Sequence, residues 1–236
     1  ENSESGIKIL SFESGTRHNV VPDYAQVSLS GDRNLVLSTV QRYKETMPSN
    51  FEIVDDNDII IIKSYGISAH ASTPEKGKNA AMLLVKLLCE LNLVKPQRCF
   101  IEFLNDKIGL DTSGKGLGVD FNDEISGNLT FNVGIVNIDQ KKASVTVDIR
   151  YPVEYNCDQV LDAIRKNTPE YFSIEDISDS KPHYVPEDNI MIQKLKYAYE
   201  KVTGEPAYCF SIGGGTYARM FNNCVAFGPT FPGKPE

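Results

Sequence analysis

His70 lies in a run of small residues, 66–72, that would let a ligand approach its imidazole closely. An imidazole in such a place could donate a hydrogen bond to a developing oxyanion. The alternative is a histidine in a surface loop, which spacing alone favours, because a lone histidine rarely identifies a site. The other two histidines, His18 and His183, are not paired with it at helical spacing. The sequence therefore contains no H-E-x-x-H type of metal site.

Arg150 ends a segment in which apolar and polar residues alternate. That alternation places its side chain on the same strand face as Thr146 and Asp148, opposite the apolar residues. A guanidinium there could hold a substrate carboxylate through two parallel hydrogen bonds. The alternative is an ion pair with Asp148 or another acid at the surface, and the pattern alone favours this weaker arrangement.

Three consecutive glycines, Gly213, Gly214 and Gly215, are followed by Thr216 and a short predicted helix over 217–221. Thr216 could cap that helix, and the backbone amides of the loop could bind an anion. The spacing fits neither G-x-G-x-x-G nor a Walker loop, which disfavours nucleotide binding. The alternative is a tight turn in which only glycine fits, and both interpretations stay open.

Asn19 lies in a stretch, 15–23, that leads into the first predicted strand. Its side chain offers both hydrogen-bond donors and acceptors. Taken alone, the stretch is an ordinary loop with a proline.

Composition and charge exclude several classes of protein. The chain has 236 residues, of which 41% are hydrophobic and 24% charged, and a net charge of -8. Such an acidic chain lacks the positive field that binds nucleic acid, and no apolar run is long enough to cross a membrane. The five cysteines form no C-x-x-C motif, which indicates reduced thiols in a cytoplasmic protein. The polar start is unlike a signal peptide and lacks an initiator Met, so we expect a fragment.

The elements that must position these residues follow from hydrophobic periodicity. Period-two runs predict strands, and period-3.6 runs with capping residues predict helices. The predicted strands are 25–30, 51–54, 59–63, a hairpin of 129–135 and 143–149, and one near 171–174; the predicted helices are 32–47, 79–93, one from Asn156, and 192–202. This order indicates an α+β fold with helices on one face of an antiparallel sheet.

Residues 181–186 carry two prolines and no periodicity, so they mark a domain boundary. Beyond the helix that Gly204 ends, we expect a short strand, the glycine turn, a short helix and a last strand over 225–228. At about 50 residues this tail is marginal as a domain by itself.

Four stretches together, in this order and spacing, resemble the PepV-like dipeptidases. These enzymes belong to the dinuclear zinc peptidase family that includes carboxypeptidase G and the aminoacylases. The stretches are 15–23, 68–80, 148–152 and 212–219, and the second and fourth are the most specific.

The resemblance implies a lid domain over residues 1–182, built from two ferredoxin-like α/β-sandwich halves that mimic a dimer. Residues 183–236 would be part of an α/β catalytic domain. His70 would bind the scissile carbonyl and its oxyanion, and Asn19 and Arg150 would hold the substrate's terminal carboxylate. The loop of Gly213, Gly214, Gly215 and Thr216 would line the same site.

By the same resemblance, the full-length enzyme would hold two zinc ions and be a cytoplasmic monomer acting on small peptides. The family's zinc ligands match no residues of this chain, and we infer no ligand role for His18 or His183. The chain alone is therefore expected neither to hydrolyse dipeptides nor to bind stoichiometric zinc. Two alternatives stay open, namely an amidohydrolase for N-acyl amino acids and a non-catalytic α+β binding or dimerisation module.

Overall fold

The elements of secondary structure come from a computed structural model that describes residues 6–56 and 58–228. The strands are β1 (Lys8–Ser14), β2 (Tyr24–Ser30), β3 (Phe51–Asp56), β4 (Ile59–Tyr65), β5 (Asn122–Asp123), β6 (Gly127–Asn128), β7 (Thr130–Ile138) and β8 (Ala143–Arg150). The helices are α1 (Arg33–Thr46), α2 (Ala80–Leu88), α3 (Lys95–Lys107), α4 (Cys157–Asn167) and α5 (Ile190–Thr203). Short 3₁₀ turns occur at Pro74–Lys76, Lys115–Leu117 and Tyr217–Met220.

Six strands form one sheet in the order β3-β4-β2-β1-β7-β8, and every neighbouring pair is antiparallel. The central pair, β1 and β2, joins β4 and β3 on one side to β7 and β8 on the other. Strands β5 and β6 form a separate hairpin. The α+β class predicted from the sequence is confirmed.

Helix α2 lies at the centre of the core. Every one of its residues except Lys86 is buried, and it packs against β2, β4 and β7 as well as α1 and α3. Fully burying one large aliphatic side chain contributes about 1.5–3 kcal/mol, so this helix anchors the domain. Its N-cap, Asn79, accepts from the Met82 amide at 3.1 Å and donates to the Val133 carbonyl at 2.8 Å. The cap therefore ties the segment that follows His70 to β7.

Most predicted elements near the site are confirmed. Asp32 caps α1 through its carboxylate, which accepts from the Leu35 amide at 3.0 Å. Asn156 caps α4 in a reciprocal capping box with Gln159. The β7–β8 hairpin turns where predicted. At that turn, the Asp139 carboxylate accepts hydrogen bonds from the backbone amides of Lys141 and Lys142.

The predicted helix over 79–93 is too long. It ends at Leu88, because residues 90–94 turn and pair with the chain before β1: the Ile7 amide donates to the Asn92 carbonyl at 2.8 Å, and the Val94 amide to the Ile7 carbonyl at 3.0 Å. A second helix, α3, then starts with Pro96 in its first turn. The sequence did not predict α3 or β1. In β1, the alternation of apolar and polar residues is broken by a register shift between Ile9 and Ser11.

Three predicted strands are wrong. Near residue 171, Phe172 packs its ring on Phe100 and Phe103 instead of extending a sheet, and its amide donates to the Pro169 carbonyl in a turn. In the tail, neither residues 205–212 nor residues 225–228 form a strand. A strand needs a neighbour for its backbone groups, and the described part of the chain offers these tail segments none. Residues 229–236 lie outside the described residues.

Candidate functional site

The loop that carries Asn19 is held by a buried amide. Asn132 of β7 is only 2% exposed, and its Nδ2 donates to the carbonyls of His18 at 2.9 Å and of Val20 at 3.1 Å. Gly134, at the bulge of β7, presses against the His18 backbone so closely that a Cβ there would overlap it. The loop therefore follows β7 closely instead of extending into solvent.

The His70 loop pairs with the Asn19 loop through its backbone. The Val21 amide donates to the Ala69 carbonyl at 2.8 Å, and the Ala71 amide donates to the Asn19 carbonyl at 3.0 Å. The hydroxyl of Thr130 also holds the His70 loop, because it donates to the Ala71 carbonyl at 3.1 Å. Two of the residues predicted to act on one substrate are thus brought side by side, although 51 positions separate them in the sequence.

The His70 imidazole is exposed, as a group that meets a ligand must be. Its Nδ1 lies 2.7 Å from the Ser72 hydroxyl and 3.3 Å from the Ser72 backbone nitrogen. The ring is therefore held by its own loop at one nitrogen. Serine is typical of such local bonds, but the sequence analysis did not single out Ser72.

Arg150 is held at the end of β8 by two acceptors. Its Nε donates to the Asp148 carboxylate at 2.9 Å, and its Nη1 donates to the Gly213 carbonyl. The ion pair with Asp148 that the sequence offered as the alternative does exist. However, it is well covered, with 23% of the Arg150 side chain and 11% of the Asp148 side chain exposed. The pair thus fixes the guanidinium while its remaining N–H groups can still bind a carboxylate.

Asp148 also faces a second basic side chain. His18 Nδ1 lies 3.3 Å from its Oδ2, and 63% of the His18 side chain is exposed. The Asn19 loop and the Arg150 strand therefore meet at Asp148. No ligand role was inferred for His18, and the structure places it beside this carboxylate.

Gly213 is the glycine that joins the site together. A Cβ built on it would lie 2.5 Å from the Ser72 Cβ, so its backbone lies directly against the His70 loop. Its carbonyl accepts from Arg150. A residue with a side chain could not make both contacts, which explains one of the three glycines.

The rest of the glycine loop is less closely tied to the site. A Cβ on Gly214 would meet no described atom within 4 Å, and one on Gly215 would lie 2.8 Å from Arg219 Nη1. Thr216 precedes the 3₁₀ turn Tyr217–Met220 but makes no capping hydrogen bond with its side chain. The capping role considered for Thr216 is therefore wrong. For these three residues, as for Asn19, His70, Arg150 and Gly213, substrate contact stays a prediction.

The structure also bears on metal binding and on membranes. Among residues 6–56 and 58–228, no group of three or more His, Cys, Asp or Glu side chains could hold a metal ion. All five cysteines are free thiols. No helix in those residues has the length and apolar character needed to span a bilayer.

The described residues thus form an α+β fold in which the loops that carry Asn19 and His70 pair and the end of β8 meets the glycine loop. Residues 60–172 match the model of the peptidase dimerisation domain family (M20_dimer). The resemblance to a dipeptidase of this family, inferred from the four stretches, is confirmed.

Three curated relatives are similar over nearly the whole chain. Putative dipeptidase YtjP of Bacillus subtilis is 38% identical over 97% of the chain. The relatives in Staphylococcus epidermidis and Staphylococcus haemolyticus, named in the same way, are 33% and 32% identical over 98% of it. The chain spans 49–50% of the length of these relatives.

Proposed function

We propose that this chain supplies the substrate-gripping part of a dipeptidase that hydrolyses short peptides with a free C-terminal carboxylate. One observation carries the proposal, namely that four separate stretches meet at a single place through Asn19, His70, Arg150 and Gly213. The names of the relatives agree with this activity.

The two ends of the substrate would be held by different groups. Arg150 and Asn19 bind the terminal carboxylate, because a guanidinium matches the geometry of a carboxylate and an amide adds a further donor. His70 donates to the carbonyl oxygen of the scissile peptide bond and to the oxyanion that forms there. One such donor contributes about 2.7–4 kcal/mol to transition-state stabilisation in another hydrolase. Gly213 and its neighbours line the space between these groups.

This arrangement selects for peptide length. If Arg150 holds the carboxylate while His70 holds the carbonyl, only a peptide with its carboxylate one residue beyond the scissile bond satisfies both. A longer peptide presents an amide where the carboxylate should be, so it loses the charge-assisted hydrogen bonds.

We further propose that the whole protein uses two zinc ions. Bound zinc lowers the pKa of a coordinated water and polarises a carbonyl. The described residues do not fit such a centre, because they contain no cluster of metal-binding side chains. The ligands would have to come from other polypeptide.

The apolar surface of the tail supports a division into a lid, 1–182, and part of a catalytic domain, 183–236. Val202 is 85% exposed, Phe210 70% and Tyr217 92%. Within the described part of 183–236, the buried hydrophobic side chains are those of Ile192 and Ala218. Isolated domains rarely expose so many large apolar side chains, so we infer that further polypeptide covers them. Without that polypeptide, the chain should be inactive.

A dimerisation module without catalysis is the second candidate, and the match of residues 60–172 to a peptidase dimerisation domain favours it. Under the dipeptidase proposal, we expect a monomer, because a lid built from two halves would itself mimic a dimer. Under the module proposal, the chain should form a stable dimer and bind no dipeptide. An N-acyl amino acid amidohydrolase would instead prefer acylated amino acids over free dipeptides.

A cytoplasmic location remains part of the proposal. Its support is that none of the five cysteines forms a disulfide.

The test is a titration of the chain with a dipeptide and with the same dipeptide amidated at its C-terminus, followed by NMR. We expect the free dipeptide to shift resonances of Asn19, His70 and Arg150, and the amide to bind more weakly. Arg150→Ala should remove most of this preference, since it deletes the carboxylate partner. Arg98→Ala is the matched control, because Arg98 pairs with Glu102 on the exposed side of α3.

Equal binding of the two peptides, or an unchanged preference in Arg150→Ala, would refute the carboxylate role. Sedimentation of the same samples separates the second candidate, because a tight dimer that binds neither peptide would support the module.

A further inference from the structure

The hydrogen bonds around His70 determine which of its ring nitrogens carries the proton. The Ser72 backbone N–H donates to Nδ1 at 3.3 Å. A backbone N–H can only donate, so Nδ1 must present its lone pair. A neutral imidazole has a single ring proton, which then lies on Nε2. The Ser72 hydroxyl, 2.7 Å from Nδ1, must also turn its hydrogen toward the ring.

Ser72 is itself kept in place from the opposite side. Gly213 lies so close that a Cβ on it would come within 2.5 Å of the Ser72 Cβ and 3.3 Å of its Cα. The Gly213 carbonyl in turn accepts from Arg150. The position of Ser72 thus depends on the glycine loop, and the glycine loop is bonded to the arginine.

We propose that Ser72 is a positioning residue that holds His70 in the neutral tautomer protonated at Nε2, and that Gly213 keeps Ser72 in position. In this form, His70 offers an N–H donor to the substrate carbonyl without first having to become charged. The role assigned toward substrate rests on the dipeptidase proposal. The tautomer does not, because it follows from the hydrogen bonds of the free chain.

The proposal is tested by long-range ¹H–¹⁵N NMR of the imidazole nitrogens in the whole chain, at a pH where histidine is neutral. His70→Gln assigns the signals. We expect Nε2 of His70 to be protonated and Nδ1 to be unprotonated and hydrogen bonded. In Ser72→Ala, the Nδ1 resonance should move toward that of an unbonded nitrogen, and the fraction protonated at Nδ1 should rise. Ser72→Thr keeps the hydroxyl and should restore the wild-type signals.

Two glycine variants test the contact with Ser72. Gly213→Ala should displace Ser72 and change the His70 signals in the same direction as Ser72→Ala. Gly214→Ala is the matched control for this readout, since its new methyl group meets no described atom within 4 Å. If Ser72→Ala fails to fold, Gly213→Ala and Ser72→Thr still give the comparison.

Protonated Nδ1 in the wild-type chain, or His70 signals that do not change in Ser72→Ala and Gly213→Ala, would overturn the proposal. These spectra need no substrate, so they stand even if the chain binds no dipeptide. Where it does bind, Ser72→Ala should weaken binding roughly two- to tenfold, the factor that one hydrogen bond typically contributes. Unchanged affinity in that variant would overturn the role toward substrate.

Discussion

Asn132 should be the side chain on which the Asn19 loop depends most. Replacing it with alanine removes the donors to the His18 and Val20 carbonyls, at 2.9 and 3.1 Å. A typical hydrogen bond contributes about 1 kcal/mol net, so losing two costs about 2 kcal/mol. Asn132 is only 2% exposed, so its replacement leaves a small buried gap beside these two carbonyls. For a chain of this size, we expect the melting temperature to fall by roughly 4–8 °C.

The assay is urea unfolding followed by circular dichroism, with Asn137→Ala as the matched control. Asn137 lies on the same strand but is exposed, so its replacement should change the free energy of unfolding by less than about 0.5 kcal/mol. Asn132→Ala should also broaden the backbone NMR signals of residues 16–20. If Asn132→Ala is as stable as Asn137→Ala, the two hydrogen bonds do not hold the loop and the reasoning is wrong.

Two further predictions concern other parts of the fold. Burial works to raise the pKa of Asp123, but the amides of Ser126 and Glu154 and the Ser126 hydroxyl donate to it and hold that pKa below its usual value. Its contribution to stability is thus fully present above the unfolded pKa of about 3.9 and lost as the pH falls through the lower folded pKa. Asp123→Asn should lower the free energy of unfolding by about 1–3 kcal/mol at pH 7 and weaken its acid dependence, as urea titrations from pH 7 to pH 2 would reveal. Val202→Lys should leave the free energy of unfolding within about 0.5 kcal/mol in the same urea experiments, because that side chain is 85% exposed. A large loss of stability would mean that the tail surface is packed.

Local signals in the sequence were enough for much of the sheet and for helices α1, α4 and α5. The period-two run of β2 and the caps Asp32 and Asn156 are determined by neighbouring residues, so they could be predicted. Helix α3 could not be, because its apolar residues are sparse and its start depends on pairing between residues 90–94 and the chain before β1. The same reason explains the false strands of the tail, whose residues have strand-like composition but no described neighbour.

The site was predictable only in part. The four stretches that contain Asn19, His70, Arg150 and Gly213 were recognised by their resemblance to a family, and their roles toward substrate stay predictions. Ser72 and Asn132 were missed for a physical reason. Ser72 matters because of a contact with Gly213, 141 positions away, and Asn132 is buried at a bulged strand where alternation would leave a polar residue outside.

The contacts at this site involve backbone atoms as much as side chains, so a substitution at one residue of the site can displace others. Arg150 donates to the Gly213 carbonyl, Gly213 presses on Ser72, and Ser72 bonds His70. A substitution at Arg150 would therefore remove a carboxylate partner and also release the glycine loop that steadies His70. The two effects can be told apart. Loss of the carboxylate partner alone weakens the binding of ligands that have a carboxylate, whereas release of the loop also changes the imidazole signals of the ligand-free chain. Spectra of Arg150→Lys, which keeps the charge but not the forked geometry, should show the second effect even where carboxylate binding partly survives.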